Sequence, residues 1–367
     1  MVRFLAFFFV FLHHLLRSPQ IVRDWSGFLS SLGPESWRVR LALAEACGCG
    51  LPLFFALSAY LITDILLRER EQTSTISVRR FYLRRVLRIW PLYFAGIALG
   101  IGIAILLHRH QDVVGFLWYL LFAGNIYCGI FGWPHNPMTA LWSISVEEQF
   151  YLFWPWMMRF IRRNGLVWCA VAMIVIANIR IFWFGQHHIA TEVTVWTDSL
   201  VGVEMFATGI LLALFKNKFA AWTRLPLKWI VLLGPALWFA GCYFFGVKQP
   251  EAAGLPRSGI SLMFGYALVA LGCACILQGF CWMHSETMPK WTVKLGKISY
   301  GLYVFHGLSI EFAEAFVHQL KGSTHLTATA SLGLLLAISA ASISYEYLES
   351  PFLRLKRRFE ILHTRPI

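Results

Sequence analysis

The chain has 367 residues, of which 58% are hydrophobic and 14% charged, with 16 Trp and a mean hydropathy of +0.61. A water-soluble domain of this length would expose more polar surface than such a composition supplies, so the sequence reads as an all-α, polytopic transmembrane helix bundle forming one domain over 1–367. Its net charge of +13 is explained by topology, because cytoplasmic loops accumulate Lys and Arg, and this points away from nucleic-acid binding.

The first apolar run begins at Arg3, and His14 stands eleven positions further on. At 100° and 1.5 Å per residue, the two side chains fall within roughly 20° of one another and about 16 Å apart along the same helix face. The spacing puts the guanidinium at a membrane surface and the imidazole near mid-bilayer, where an ionisable group is costly and is by default a functional candidate. His13 points about 80° away and is the weaker candidate. A signal-peptide reading of 4–12 is disfavoured, since no small-residue cleavage site follows it.

Further apolar runs cover 42–67, 89–107, 114–131, 141–158, 165–184, 198–215, 229–247, 257–282, 298–317 and 326–348. Most are near the roughly 20 residues that span hydrocarbon. Most of the 32 Lys and Arg fall in five loops, from Arg68 to Arg88, Arg159 to Arg163, Lys216 to Lys228, Lys290 to Lys297 and Arg354 to Arg365. All five face the cytoplasm if 114–131, broken by Gly and Asn, lies in or re-enters the outer face. About ten spanning helices then remain, with both termini cytoplasmic, in a cell (inner or plasma) membrane.

Within the first of those loops, Arg85 and Arg88 are three apart and so neighbours on a helix, where two guanidiniums can grip a phosphate or pyrophosphate. Their loop companions Arg68, Arg70, Arg79 and Arg80 are better explained by topology. In the stretch Leu141 to Leu152, Ser143, Glu147 and Tyr151 recur every fourth residue, lining one face with a hydroxyl, a carboxylate and a phenol. Glu147 needs a cation, and His14 or Arg3 is the expected partner. Glu148 reads as solvated in the headgroup zone.

Lesser candidates are His306, at the end of the aromatic run 300–305, which lines a substrate path or makes a structural hydrogen bond, and Asp198, a candidate contact for a sugar acceptor. Arg180 requires a partner that the sequence does not name, and His187 and His188 read as loop residues. Of the eight cysteines, six lie in or at the ends of apolar runs, where thiols pack as small hydrophobes, and no paired Cys-x-x-Cys motif is formed, so no metal site is expected.

Taken together, these motifs resemble acyltransferase family 3, integral membrane enzymes that move acyl groups from acyl-coenzyme A to hydroxyls, commonly of cell-envelope sugars. Arg3 to His14 is similar to the family's Arg-x10-His helix, Phe54 to Thr63 to its FFxLSGFLIT segment, and Arg85 to Arg88 to its RxxR loop. Trp142 to Tyr151 resembles its WSLSVEEQFY signature, and Ser299 to His306 and Tyr345 to Phe352 also fit. Two departures stand out: Ala59 replaces the usual Gly, and the Leu-Asp-Gly lead-in before the arginine is missing.

The resemblance implies an acyl-coenzyme A co-substrate, with acetyl the expected acyl group, no bound cofactor, and a hydroxyl acceptor that is a carbohydrate. In that reading Arg85 and Arg88 hold the donor's phosphates, His14 is the general base, Glu147 orients it or stabilises its cation, and Arg3 neutralises the donor or polarises the thioester. Ser143, Tyr151, His306 and Asp198 line the substrate path. The alternatives are acylation of a small molecule such as an antibiotic, peptide or lipid, and a non-enzymatic transporter or membrane scaffold. The duplicated halves common in transporters are not seen.

Overall fold

Long apolar runs without strand-like alternation must satisfy their backbone groups internally, which in a lipid environment selects helices. The structure, a computed structural model, describes residues 1–24, 33–187, 192–216, 218, 227–248, 258–282 and 290–360, and among the described residues there is no strand. Arg224, Arg365 and His188 from the sequence reading lie outside them.

The N-terminal half forms α1 (Val2–Arg17), α2 (Pro34–Gly48), α3 (Gly50–Thr73), α4 (Val78–Leu106), α5 (His110–Leu120), α6 (Gly124–Phe131) and α7 (Trp142–Phe160). It is followed by α8 (Arg163–His187), α9 (Glu192–Thr197), α10 (Ser199–Leu214), α11 (Leu227–Phe245), α12 (Gly259–Trp282), α13 (Lys290–Lys297), α14 (Ser299–Val317) and α15 (Gly322–Ser344). A π-helical turn, Tyr345–Glu349, leads into α16 (Ser350–Lys356). Five helical stretches are long and apolar enough to cross a membrane: Glu35–Thr73, Val78–Leu106, Arg163–His187, Gly259–Phe280 and Gly322–Phe359. The run 114–131 is divided between α5 and α6, of 11 and 8 residues, and neither is long enough to cross.

The first helix is the wedge of the bundle, packing against α2, α3 and α14. Ala6 and Val10 join one apolar core with α3 and α10, while Phe7, Phe11 and Leu15 join a second with Leu302 and Ile310 of α14 and Ala337 and Ala341 of α15. Burial on two sides of one helix leaves only narrow sectors for its polar residues, and that fixes where Arg3 and His14 point.

Close approach between α3 and α10 depends on glycine. A Cβ built on Gly209 would lie 2.0 Å from the Ala56 carbonyl oxygen, so these two backbones touch. Ala59, one turn further on, is fully buried, and the α3 packing accommodates its methyl group. In the last turns of α3, the Glu69 carboxylate accepts a hydrogen bond from Ser77 N at 2.8 Å and pairs with Arg84 at 3.3 Å. One buried acid thus ties the turn after α3 to the first turns of α4, which carry Arg85 and Arg88.

Candidate active site

Two helices bring the arginines together, and two more complete the cavity around them. Arg3 from the start of α1, Arg85 and Arg88 from α4, and Glu147 and Tyr151 from α7 line one cavity, with Ser58 of α3 completing its polar wall. The i, i+3 spacing on α4 and the i, i+4 spacing on α7 are what aim both pairs into the same space. Tyr151 donates to Glu147 Oε2 at 2.8 Å, and its hydroxyl also bonds with Ser58 Oγ. The Arg85 guanidinium lies 5.4 Å from the ring centroids of both Phe81 and Tyr151, which hold it by cation–π attraction.

This cavity carries an excess of positive charge, with three guanidiniums for one carboxylate. Among the described residues no acid lies within ion-pair distance of Arg3, Arg85 or Arg88, and the buried Nε of Arg85 has no hydrogen-bond partner. Like charges held together repel, and an unmet buried donor is costly, so an anion entering this cavity would find charge and a hydrogen-bond donor to meet. Tyr300 of α14 donates to the Ile89 carbonyl at 2.9 Å and so pins α4 beside this cavity.

At the other end of α1, His14 keeps an exposed side chain between buried His13 and Leu15. Its ring lies 4.9 Å, centroid to centroid, from that of His306 on α14, and 5.1 Å from that of His13. His13 is fully committed, with Nδ1 donating to the Ala44 carbonyl at 2.8 Å and Nε2 accepting from Lys248 Nζ at 3.1 Å. The same Lys248 and Arg17 pair with the buried Glu45 at 3.4 and 3.2 Å. His14, by contrast, makes no hydrogen bond to a described residue, so its imidazole is the one free to meet a ligand.

Several expectations need correction. Glu147 does not orient His14: it lines the cavity with Arg3, the other partner expected for it, and accepts a hydrogen bond from Tyr151. Ser143 continues the helix face of Glu147 and Tyr151 one turn earlier but is not among the residues lining the cavity; its hydroxyl bonds with the Tyr303 hydroxyl at 2.5 Å and donates to the Ala140 carbonyl at 3.1 Å. Asp198 caps α10, accepting from Leu200 N and Val201 N, while its other oxygen pairs with Arg180 at 3.0 Å. Both oxygens are occupied, so Asp198 is the partner Arg180 needs and stands apart from the candidate site. Glu148 is half-buried and accepts from Trp90 Nε1 at 3.3 Å, in place of headgroup solvation.

Four residues have no role in the sequence reading. Ser58 lies inside the quoted Phe54 to Thr63 motif, but only the structure joins it to Tyr151. Glu349 closes the π-helical turn, is 6% exposed and acts electrostatically on Arg88. Single π turns often mark functional positions, and the only sequence hint is a Glu before Ser350-Pro351 at the end of a long apolar helix. Lys248 and Glu45, which fix His13, are separated by most of the chain and leave no local signal.

Comparison with known proteins now bears on this geometry. The chain is 31% identical to a peptidoglycan O-acetyltransferase of Listeria monocytogenes over 138 residues, which are 35% of this chain and 22% of that protein. It is 24% identical over 340 residues to a Staphylococcus aureus (strain COL) protein with the provisional name of O-acetyltransferase, covering 86% of this chain and 54% of the relative. A Bacillus subtilis protein, provisionally named a peptidoglycan O-acetyltransferase, is 25% identical over 328 residues, covering 82% of this chain and 50% of the relative. The chain thus spans about half the length, or less, of these curated relatives. No solved structure matches it. A family profile described as an acyltransferase domain matches residues 1–345, a stretch that contains both the arginine cavity and the His14 ring pair, and the chain belongs to that acyltransferase family.

Proposed function

We propose that the chain is a multi-pass membrane O-acyltransferase that moves an acetyl group from acetyl-coenzyme A to a hydroxyl of a cell-wall glycan. The observation that carries this reading is the arginine cavity, whose three guanidiniums have no acid within ion-pair distance among the described residues and lie at one end of the helix that bears His14. The relatives' names support peptidoglycan as the acceptor. Ten crossings with both termini cytoplasmic, in the cell membrane, put the arginine end at the inner surface, where coenzyme A is available.

In this reading the donor's phosphates stay in the cavity, held by Arg85, Arg88 and Arg3, and the uncharged pantetheine arm carries the thioester along α1 toward His14. About 16 Å of helix separates Arg3 from His14, a distance an extended arm spans. Glu147, held by Tyr151, balances part of the cavity charge and keeps the guanidiniums apart. At the far end His14 takes the proton of the attacking hydroxyl as the new C–O bond forms, a general-base contribution of roughly 10² to 10⁴ in rate. The C–S bond then breaks and coenzyme A leaves as the thiol, with the proton returned from His14. The donor is a co-substrate, and the reading needs no resident cofactor or metal, since a thioester is already activated.

The test uses the purified chain in lipid nanodiscs with acetyl-labelled coenzyme A and soluble peptidoglycan fragments. Label appearing as a base-labile ester on the glycan is expected. Passage of unaltered glycan or coenzyme across a sealed vesicle, with no ester formed, would contradict it and favour a transporter.

A further inference from the structure

We propose that His306 is the positioning partner of His14, a second imidazole that fixes the tautomer of the first and shares its proton during transfer. This inference rests on His14 being the base. His306 is fully buried, and its Nδ1 lies 2.5 Å from the carbonyl oxygen of Tyr303, one turn back on α14. A carbonyl only accepts, so Nδ1 carries the hydrogen and Nε2 of the neutral ring is a lone-pair acceptor. That Nε2 is buried and has no hydrogen-bond partner. Buried acceptors are nearly always satisfied, so an unmet one beside a functional group calls for an explanation.

The rings around His306 narrow the choice. Among the described residues they are those of Phe7 at 6.4 Å, Tyr303 at 5.4 Å and His14 at 4.9 Å. Phenylalanine has no donor, and the Tyr303 hydroxyl is engaged by Ser143 and the Ala140 carbonyl. His14 is the neighbour with an N–H to give. If it donates to His306 Nε2, its other nitrogen is left as a lone pair on the open side, which is the form a general base requires.

This is the task a carboxylate performs in a Ser-His-Asp triad. Among the described residues no acid is paired with His14: Glu147 is at the arginine end and Glu45 is held by Lys248 and Arg17. The charges acting on His14 from the neighbouring elements are those of Lys248 and Arg17, with His13 and His306 as the titratable rings. A full positive charge confined to His14 would be repelled by both cations. In the transfer step the hydroxyl proton moves to the free nitrogen of His14 as the alcohol oxygen bonds to the thioester carbon, and the proton on its other nitrogen shifts onto His306 Nε2. When the C–S bond breaks, the proton on His306 returns to His14, and His14 protonates the departing thiolate. No oxidant, reductant or further reactant is needed.

The experiment compares the parent with His306→Phe, His306→Gln and His14→Ala in nanodiscs, by steady-state acetyl transfer and by rates in H₂O/D₂O mixtures. His306→Phe keeps the ring contact and removes both nitrogens; it should lower kcat by roughly 10- to 100-fold, with the KM for acetyl-coenzyme A unchanged. His306→Gln still offers an acceptor to His14 and should recover part of the loss. The parent's rate should bend with deuterium fraction, as two protons in flight require, whereas His306→Gln should give a straight line. A parent-like kcat and a bent plot in His306→Gln would overturn the proposal, whether or not the Phe variant folds. Full activity in His14→Ala would instead overturn the underlying assignment of the base.

Discussion

Tyr151 and Glu147, one turn apart on α7, form a 2.8 Å hydrogen bond at the wall of a cavity that otherwise holds three arginines. The bond fixes the lone carboxylate of the cavity, and Ser58 fixes the phenol in turn. Tyr151→Phe leaves Glu147 free to swing onto a guanidinium and compete with an anionic donor. A hydrogen bond to a charged group is worth about 1.5–3 kcal/mol, so the variant should raise the KM for acetyl-coenzyme A by about tenfold or more, with kcat little changed. Steady-state kinetics on membranes with matched protein levels measures this.

Arg85 and Arg88 should not tolerate lysine. A lysine keeps the charge but loses the planar fork and the stacking that hold Arg85 between Phe81 and Tyr151. Arg85→Lys and Arg88→Lys should each raise the donor KM by roughly tenfold, and the alanine variants by more. Rising salt should weaken the parent's donor binding more than that of either alanine variant. Equal KM values across the series would remove these residues from the donor site.

Asp198→Ala should separate stability from activity. It removes the cap of α10 and leaves Arg180 without its acid. Loss of such a cap costs about 1 kcal/mol, so the thermal midpoint of the detergent-solubilised protein should fall. The KM and kcat of the folded fraction should stay at parent values. A selective rise in the acceptor KM would return Asp198 to the substrate path.

Gly209→Leu tests the contact between α3 and α10. Any Cβ there meets the Ala56 carbonyl, and backbone cannot yield as a flexible side chain does. Overpacking of this kind costs typically about 1–3 kcal/mol and more when backbone must move. Size-exclusion chromatography should show an aggregated or poorly expressed protein, whereas Gly102→Ala, where a Cβ would have nothing within 4 Å, should behave as the parent.

What the sequence discloses about this molecule is set by the range of each signal. The register of Arg3 and His14, the Arg85/Arg88 pair and the Glu147/Tyr151 pair are legible because helix periodicity acts within one element. So is the break in 114–131, where Gly124 and Asn125 begin α6. The meeting of α1 with α14, which puts His306 beside His14, is a packing result between the two ends of the chain, and no local pattern encodes it. The same holds for Arg180 with Asp198 and for Lys248 with Glu45. Glu147 shows the same limit: its need for a cation is readable, with His14 or Arg3 as the choice, but that Arg3 shares its cavity depends on how the helices assemble.

The most direct test of the account is acetyl transfer from labelled acetyl-coenzyme A to peptidoglycan fragments by His14→Ala, with its folding and donor KM checked against the parent. The account predicts a parent-like donor KM, because the arginine cavity is untouched, and a fall in transfer of roughly 10² or more. Transfer at the parent rate would contradict the central claim that this imidazole is the base.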